Sequence, residues 1–154
     1  MLVARPSRPA DITSLAPRLR KADMDELLAA GYGSAEAALM EGFLSPDGCT
    51  TVVKRGGGPI MMFGVAPHPH DDLIGCVWLL GTDDIAHNRV TFLRHSRQFI
   101  ERFHEKYPVL MNFTDCRNSV HHRWLRWCGF MFINTVPGRG PGNRPFYEFV
   151  RVRN

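Results

Sequence analysis

The chain has 154 residues, of which 44% are apolar and 22% charged, a balance that excludes a disordered or collagen-like chain and points to one domain over residues 1–154. Its richest apolar runs, 73–80 and 131–136, fall well short of the roughly 20 residues a membrane helix needs. The opening segment, 1–9, lacks the apolar core of a secretory signal, so a cytoplasmic protein is expected. The net charge of +4 is unevenly spread: residues 1–85 hold 7 Lys/Arg against 11 Asp/Glu, and residues 86–154 hold 12 against 4. A basic half suits a phosphate-bearing ligand, and it equally suits a solvated face.

In chain order, 2–5 predicts a short strand. Asp11 opens a helical stretch with Ile12, Leu15 and Leu19 on one face. Asp23 is placed to cap a second helical segment through Ala30, and Ser34 a third over 35–41. The turn 45–48 precedes three strands, 50–55, 59–65 and 73–80. The first two are joined by Gly56-Gly57-Gly58, and the third is apolar throughout, as in a strand buried on both faces. Residues 88–107 read as one long helix with Phe92, Phe99, Phe103 and Tyr107 on a common side. A strand follows at 109–114. Asn118 is an expected N-cap for a helix over 119–128 whose Val120, Trp124 and Trp127 form a buried stripe, closed by Gly129. Strands at 130–136 and 146–152 flank a Gly/Pro-rich loop. The β-α-β unit in the middle demands a parallel pair and the hairpins demand antiparallel pairs. The expected architecture is therefore an α/β, mixed and mostly antiparallel sheet with helices on both faces.

Other constellations are less specific. His68, His70, Asp71 and Asp72 contain metal-ligand residue types, but two prolines among them also make a plain exposed turn, and no metal is expected. Arg139, Arg144, Arg151 and Arg153 have Phe146 and Tyr147 interleaved, as in nucleic-acid sites. The alternation with Val150 and Val152 is also that of a solvated strand face, and nucleic acid is not the expected partner. Cys49, Cys76, Cys116 and Cys128 form no C-x-x-C pair and read as free thiols.

The element order, the opening Val3-Ala4-Arg5-Pro6 leading to Asp11-Ile12, and the segment Asn118 to Gly129-Phe130 together resemble GNAT-family N-acyltransferases. Val77-Trp78-Leu79-Leu80-Gly81-Thr82-Asp83, with Phe92-Leu93-Arg94-His95-Ser96-Arg97 downstream, is similar to GNAT-like proteins of T7-type podophages, internal virion proteins among them. The resemblance implies a splayed central strand that pairs with the pantetheine arm of acetyl-CoA or another acyl-CoA. It implies cofactor contacts at Leu79, Leu80, Gly81, Thr82, His87, Asn88, Arg89 and Asn118, with the pyrophosphate on amides at the start of the long helix. The loop departs from the family pattern, having one glycine and carrying Asp83 and Asp84. Leu125 stands where many family members place a tyrosine acid. Candidates for proton transfer are His121 and Asp115, with His122, His70 and Asp72 as alternatives. Two functions follow from the resemblance: acyl-CoA-dependent N-acylation of a protein or small amine, or a scaffold without catalysis that binds a host or virion protein. Strand 146–152 is an expected edge for pairing with a second copy.

Overall fold

Strands form where β-branched and aromatic residues alternate, and seven of them join one sheet. The computed structural model describes residues 1–138 and 140–154; Arg139, one of the arginines considered for nucleic acid, lies outside them. The strands are β1 (Leu2–Pro6), β2 (Cys49–Lys54), β3 (Gly58–Pro67), β4 (Ile74–Gly81), β5 (Val109–Asp115), β6 (Met131–Pro137) and β7 (Pro145–Val152). Their order across the sheet is β1-β2-β3-β4-β5-β7-β6. Every neighbouring pair is antiparallel except β4 and β5, as expected for two strands joined through a helical crossover.

The helices are α1 (Pro9–Leu15), α2 (Lys21–Ala29), α3 (Ala35–Phe43), α4 (Asp84–His87), α5 (Arg89–Lys106) and α6 (Ser119–Trp127). Strand alternation sends β4 side chains to opposite faces. Leu80 packs with Ile12, Leu15, Leu27 and Leu39 of α1–α3. Leu79 packs with Val52, Ile60, Met61 and Phe63, against which Phe92 and Phe99 of α5 rest. Val77 belongs with Ile100, Leu110, Leu125 and Phe149. Two apolar layers thus cover the two faces of the sheet.

Four expectations are corrected by this arrangement. Strand β7 is not an edge: it lies between β5 and β6, and β6 closes that side of the sheet. The connection after β4 is not an open loop, because Asp84–His87 forms a helical turn ahead of α5. The buried face of α6 carries His121, His122 and Leu125, whereas Val120 and Trp127 are exposed. Trp127 instead lies on the surface under the Arg97 guanidinium, 4.3 Å from its ring centre, where a cation and an aromatic face attract. Finally, Asp23 does not cap α2; its carboxylate turns inward toward the sheet.

Candidate functional site

The site begins where two strands part. Strands β4 and β5 pair only at Ile74, Gly75 and Cys76 with Val109, Leu110 and Met111, and then diverge. At the fork, the Asn112 side-chain amide donates to the Val77 carbonyl, 2.8 Å away. Further along, the Gly81 amide donates to the Asp23 carboxylate at 3.0 Å, and the Gly81 carbonyl accepts from the Arg20 amide at 2.8 Å. Backbone groups alternate direction along a strand. Val77 and Gly81 face away from β3, so Leu79 between them also turns its N–H and C=O into the gap.

Helix α2 wedges the gap with carboxylates. Asp23 and Glu26 are three residues apart and so share one helix face. Asp23 also pairs with the Arg20 guanidinium at 2.7 Å and accepts from the Asn118 side-chain amide at 3.3 Å. Glu26 reaches β5, accepting from the Asp115 amide at 2.7 Å and the Thr114 hydroxyl at 2.9 Å. Together the two acids supply acceptors to both lips of the splay, which would otherwise leave buried amides unpaired. The loop after β6 holds α2 in place: the Gly140 amide donates to the Ala29 carbonyl at 2.9 Å. A Cβ at Gly140 would lie 2.4 Å from the Leu28 carbonyl oxygen, so only glycine lets the two backbones approach this closely.

Burial sets the protonation of the cluster. The Glu26 side chain is 13% exposed. Its desolvation and the nearby Asp23 charge outweigh the bonds from Asp115, Thr114 and Asn118 and push its pKa up to about 7. Burial pushes His121 down to about 4, so its ring is neutral at physiological pH. His121 Nδ1 lies 3.4 Å from the Thr114 hydroxyl and 4.0 Å from Glu26 Oε2, and the ring stacks on Trp124. For Asp115, burial raises the pKa, but the Arg117 guanidinium and amide prevail and hold it below the usual carboxylate range. That guanidinium grips both Asp115 oxygens, with Nη2 at 2.7 Å from one and Nε at 3.0 Å from the other. Asn118 sits at the N-terminus of α6 but does not cap it through its side chain. Its amide turns to Asp23, and its Oδ1 is buried without a hydrogen-bond partner among the described residues.

The other residues singled out in the sequence are dispersed. Leu79 and Gly81 lie on the splay, and Leu80 is in the core on the opposite face. The Thr82 amide and hydroxyl both donate to the Ile60 carbonyl. In the following turn the amides of Asp84, Ile85, Ala86 and Asn88 already have acceptors at Thr82, Asp83 and Ile85. His87 and Arg89 are exposed. The first intrahelical bond of α5 runs from the Phe92 amide to Asn88, so Arg89, Val90 and Thr91 hold its free first-turn amides. Leu125 is fully buried and has no titratable proton to give. His122 Nε2 donates to the Asp115 carbonyl at 2.8 Å. Arg151 pairs with Glu101, and Arg153 donates to the His104 carbonyl, so two of the arginines considered for nucleic acid have partners within the fold. Among the described residues, no group of three His, Cys, Asp or Glu side chains is placed to hold a metal, and no helix is long and apolar enough to cross a membrane.

The residues missed at the sequence level are Asp23 and Glu26 as a pair. Their signal was present: Asp23 stands four residues before the buried Leu27, on the inward face of α2.

The sequence matches no protein-family model, and no curated protein matches it. Solved structures do match. Ard1 from Thermoplasma volcanium superposes with a TM-score of 0.73 at 13% identity, covering 99% of this chain and 98% of that one. A GCN5-related N-acetyltransferase from Kribbella flavida gives 0.70 at 17% identity, with 99% and 98% covered. The yncA protein of Salmonella typhimurium, whose structure contains its cofactor acetyl-CoA, gives 0.66 at 10% identity, with 100% and 95% covered. Likeness across nearly the full length at such low identity establishes architecture, and the architecture of this chain is the α/β fold of the GNAT acetyltransferases.

Proposed function

We propose that residues 1–154 act as one GNAT-like domain that transfers an acyl group from a thioester to an amine. The observation that carries this reading is the largely buried Glu26 carboxylate, with a pKa near 7, at the lip of the β4/β5 splay. Glu26 Oε1 accepts from the Asp115 amide and the Thr114 hydroxyl, and its Oε2 is the acceptor left for an ammonium group. Glu26 is the proposed base: a pKa near the working pH lets it take a proton from the amine and release it again. His121, neutral beside it, and the Asp115 amide beneath it are the proposed positioning groups.

The residues fit an acyl-CoA at two points. The inward-facing backbone of Leu79 suits the thioester arm, and the free first-turn amides of α5, with Arg89, suit a phosphate. The turn 84–88 offers nothing further, since its amides are in use and it carries Asp83 and Asp84. When bound, such a cofactor supplies an activated acyl carbonyl. The chain's own residues desolvate, orient and deprotonate the amine.

Calorimetry with acetyl-CoA, paired with mass spectrometry of a primary-amine acceptor, tests the reading. Glu26→Gln should leave donor binding within about twofold and slow transfer by about 10²- to 10⁴-fold, the usual worth of a general base. Transfer unchanged in that variant would overturn the assignment, and so would the absence of acyl-CoA binding at millimolar concentration.

A second reading, a scaffold without catalysis that binds a host or virion protein, is favoured by two features. The turn 84–88 spends its amides internally and Leu125 replaces a proton donor with core. It predicts neither thioester binding nor transfer. Either role is compatible with the expected cytoplasmic setting.

A further inference from the structure

A cavity of about 160 Å³ lies between α5 and the sheet. Its walls include Val52, Met61, Phe63 and Leu79 from the sheet and Phe92 and Phe99 from α5. Among its polar lining groups the Ser96 hydroxyl is spent: it donates to the Phe92 carbonyl at 2.7 Å and accepts from the Trp124 indole at 2.9 Å. The mostly apolar lining offers ordered water few of the polar partners it needs, and an apolar cavity of about 150 Å³ accommodates a six-carbon ring. The cavity also adjoins the site. Leu79, whose backbone faces the splay, forms one wall, and His121, 4.0 Å from Glu26 Oε2, forms another.

We infer that this cavity seats the chain of a medium acyl group of about six carbons, so that the donor is a medium-chain acyl thioester rather than an acetyl thioester. The inference rests on the acyl-transfer reading above and names its substrate class. An acetyl methyl placed at Leu79 would leave most of the cavity empty, and its aromatic walls without contacts. A hexanoyl chain adds four methylenes that fill it.

Calorimetry with acetyl-CoA, hexanoyl-CoA and dodecanoyl-CoA tests this, with S-hexanoyl-N-acetylcysteamine as a probe that lacks the nucleotide. Burying each extra methylene is worth about fourfold in affinity, so hexanoyl-CoA should bind on the order of 100-fold tighter than acetyl-CoA. Dodecanoyl-CoA should gain nothing more, because the volume is exhausted. Val52→Phe, on the β2 wall, should narrow the hexanoyl-over-acetyl ratio, and Phe99→Ala should move the preference to longer chains. Equal affinity for acetyl-CoA and hexanoyl-CoA in the parent protein overturns the inference while leaving acyl transfer intact. Failure of every thioester to bind to folded protein overturns the transfer reading, and this inference with it.

Discussion

Replacing Glu26 with Gln should make the protein more stable above neutral pH, and the size of the gain follows from the site. Glu26 has an ordinary pKa of 4.5 when unfolded and about 7 when folded. A raised carboxylate pKa means that the folded state binds the proton more tightly. Its favourable contribution is complete below pH 4.5, declines as the pH rises through 7, and is gone above that. The difference of about 2.5 units corresponds to about 3 kcal/mol. Gln keeps the shape and still accepts from the Asp115 amide and the Thr114 hydroxyl, but it does not titrate. Urea denaturation should therefore find parent and variant within about 1 kcal/mol at pH 5, and the variant ahead by about 2–3 kcal/mol at pH 8. His121, held at about 4, costs both proteins stability as the pH falls below 6.5, and this cost largely cancels in the comparison. A difference that stays flat from pH 5 to 8, or a variant less stable at pH 8, would refute the reasoning. The result matters for function as well, because strongly shifted pKa values cluster at functional sites.

Two further substitutions probe how the splay is held. Asp23→Ala strands the Gly81 amide and the Arg20 guanidinium and should cost about 3–5 kcal/mol by chemical denaturation; the exposed Lys21–Asp25 pair is the control, with Lys21→Ala costing less than about 1 kcal/mol. Gly140→Ala drives a methyl into the Leu28 carbonyl, so it should lower the melting temperature and speed hydrogen exchange at the α2 amides. Unaltered exchange there would show that the loop does not brace the helix.

Much of the architecture was legible because it is written in local periodicity. Alternation marked the strands, and the Phe92–Phe103 spacing marked α5. The buried face of α6 is hidden in the sequence because its aromatic residues outrank histidines as core candidates on any hydrophobic scale. His121 and His122 are buried because they find partners in Thr114, Trp124 and the Asp115 carbonyl, which lie on other elements or emerge only on folding. The turn 84–87 was hidden by its aspartates, which read as loop-formers although Thr82 supports the helical turn. Strand order lay beyond periodicity altogether: an edge position for β7 came only from the family resemblance, and nothing in its alternation says that β6 pairs on its far side. The acid pair was obscured for the same reason. Its ligands at Gly81, Thr114, Asp115 and Asn118 are distant in sequence, and although the Asp23–Leu27 spacing marks an inward face, nothing local says what lies opposite it.

Insertion of β7 between β5 and β6 imposes an order of assembly. Strand β5 carries Thr114 and Asp115, yet it meets β4 at only three positions and is anchored along its whole length by β7. Strand β7 follows β6 in the chain yet lies between it and β5, and among the described residues β6 pairs with no other strand. Strands β1 to β4 can form their meander from neighbouring segments, but the β5 lip that Glu26 meets is held in place chiefly by β7. The gap between β4 and β5 is thus completed by distant pairing, as a late long-range event in folding.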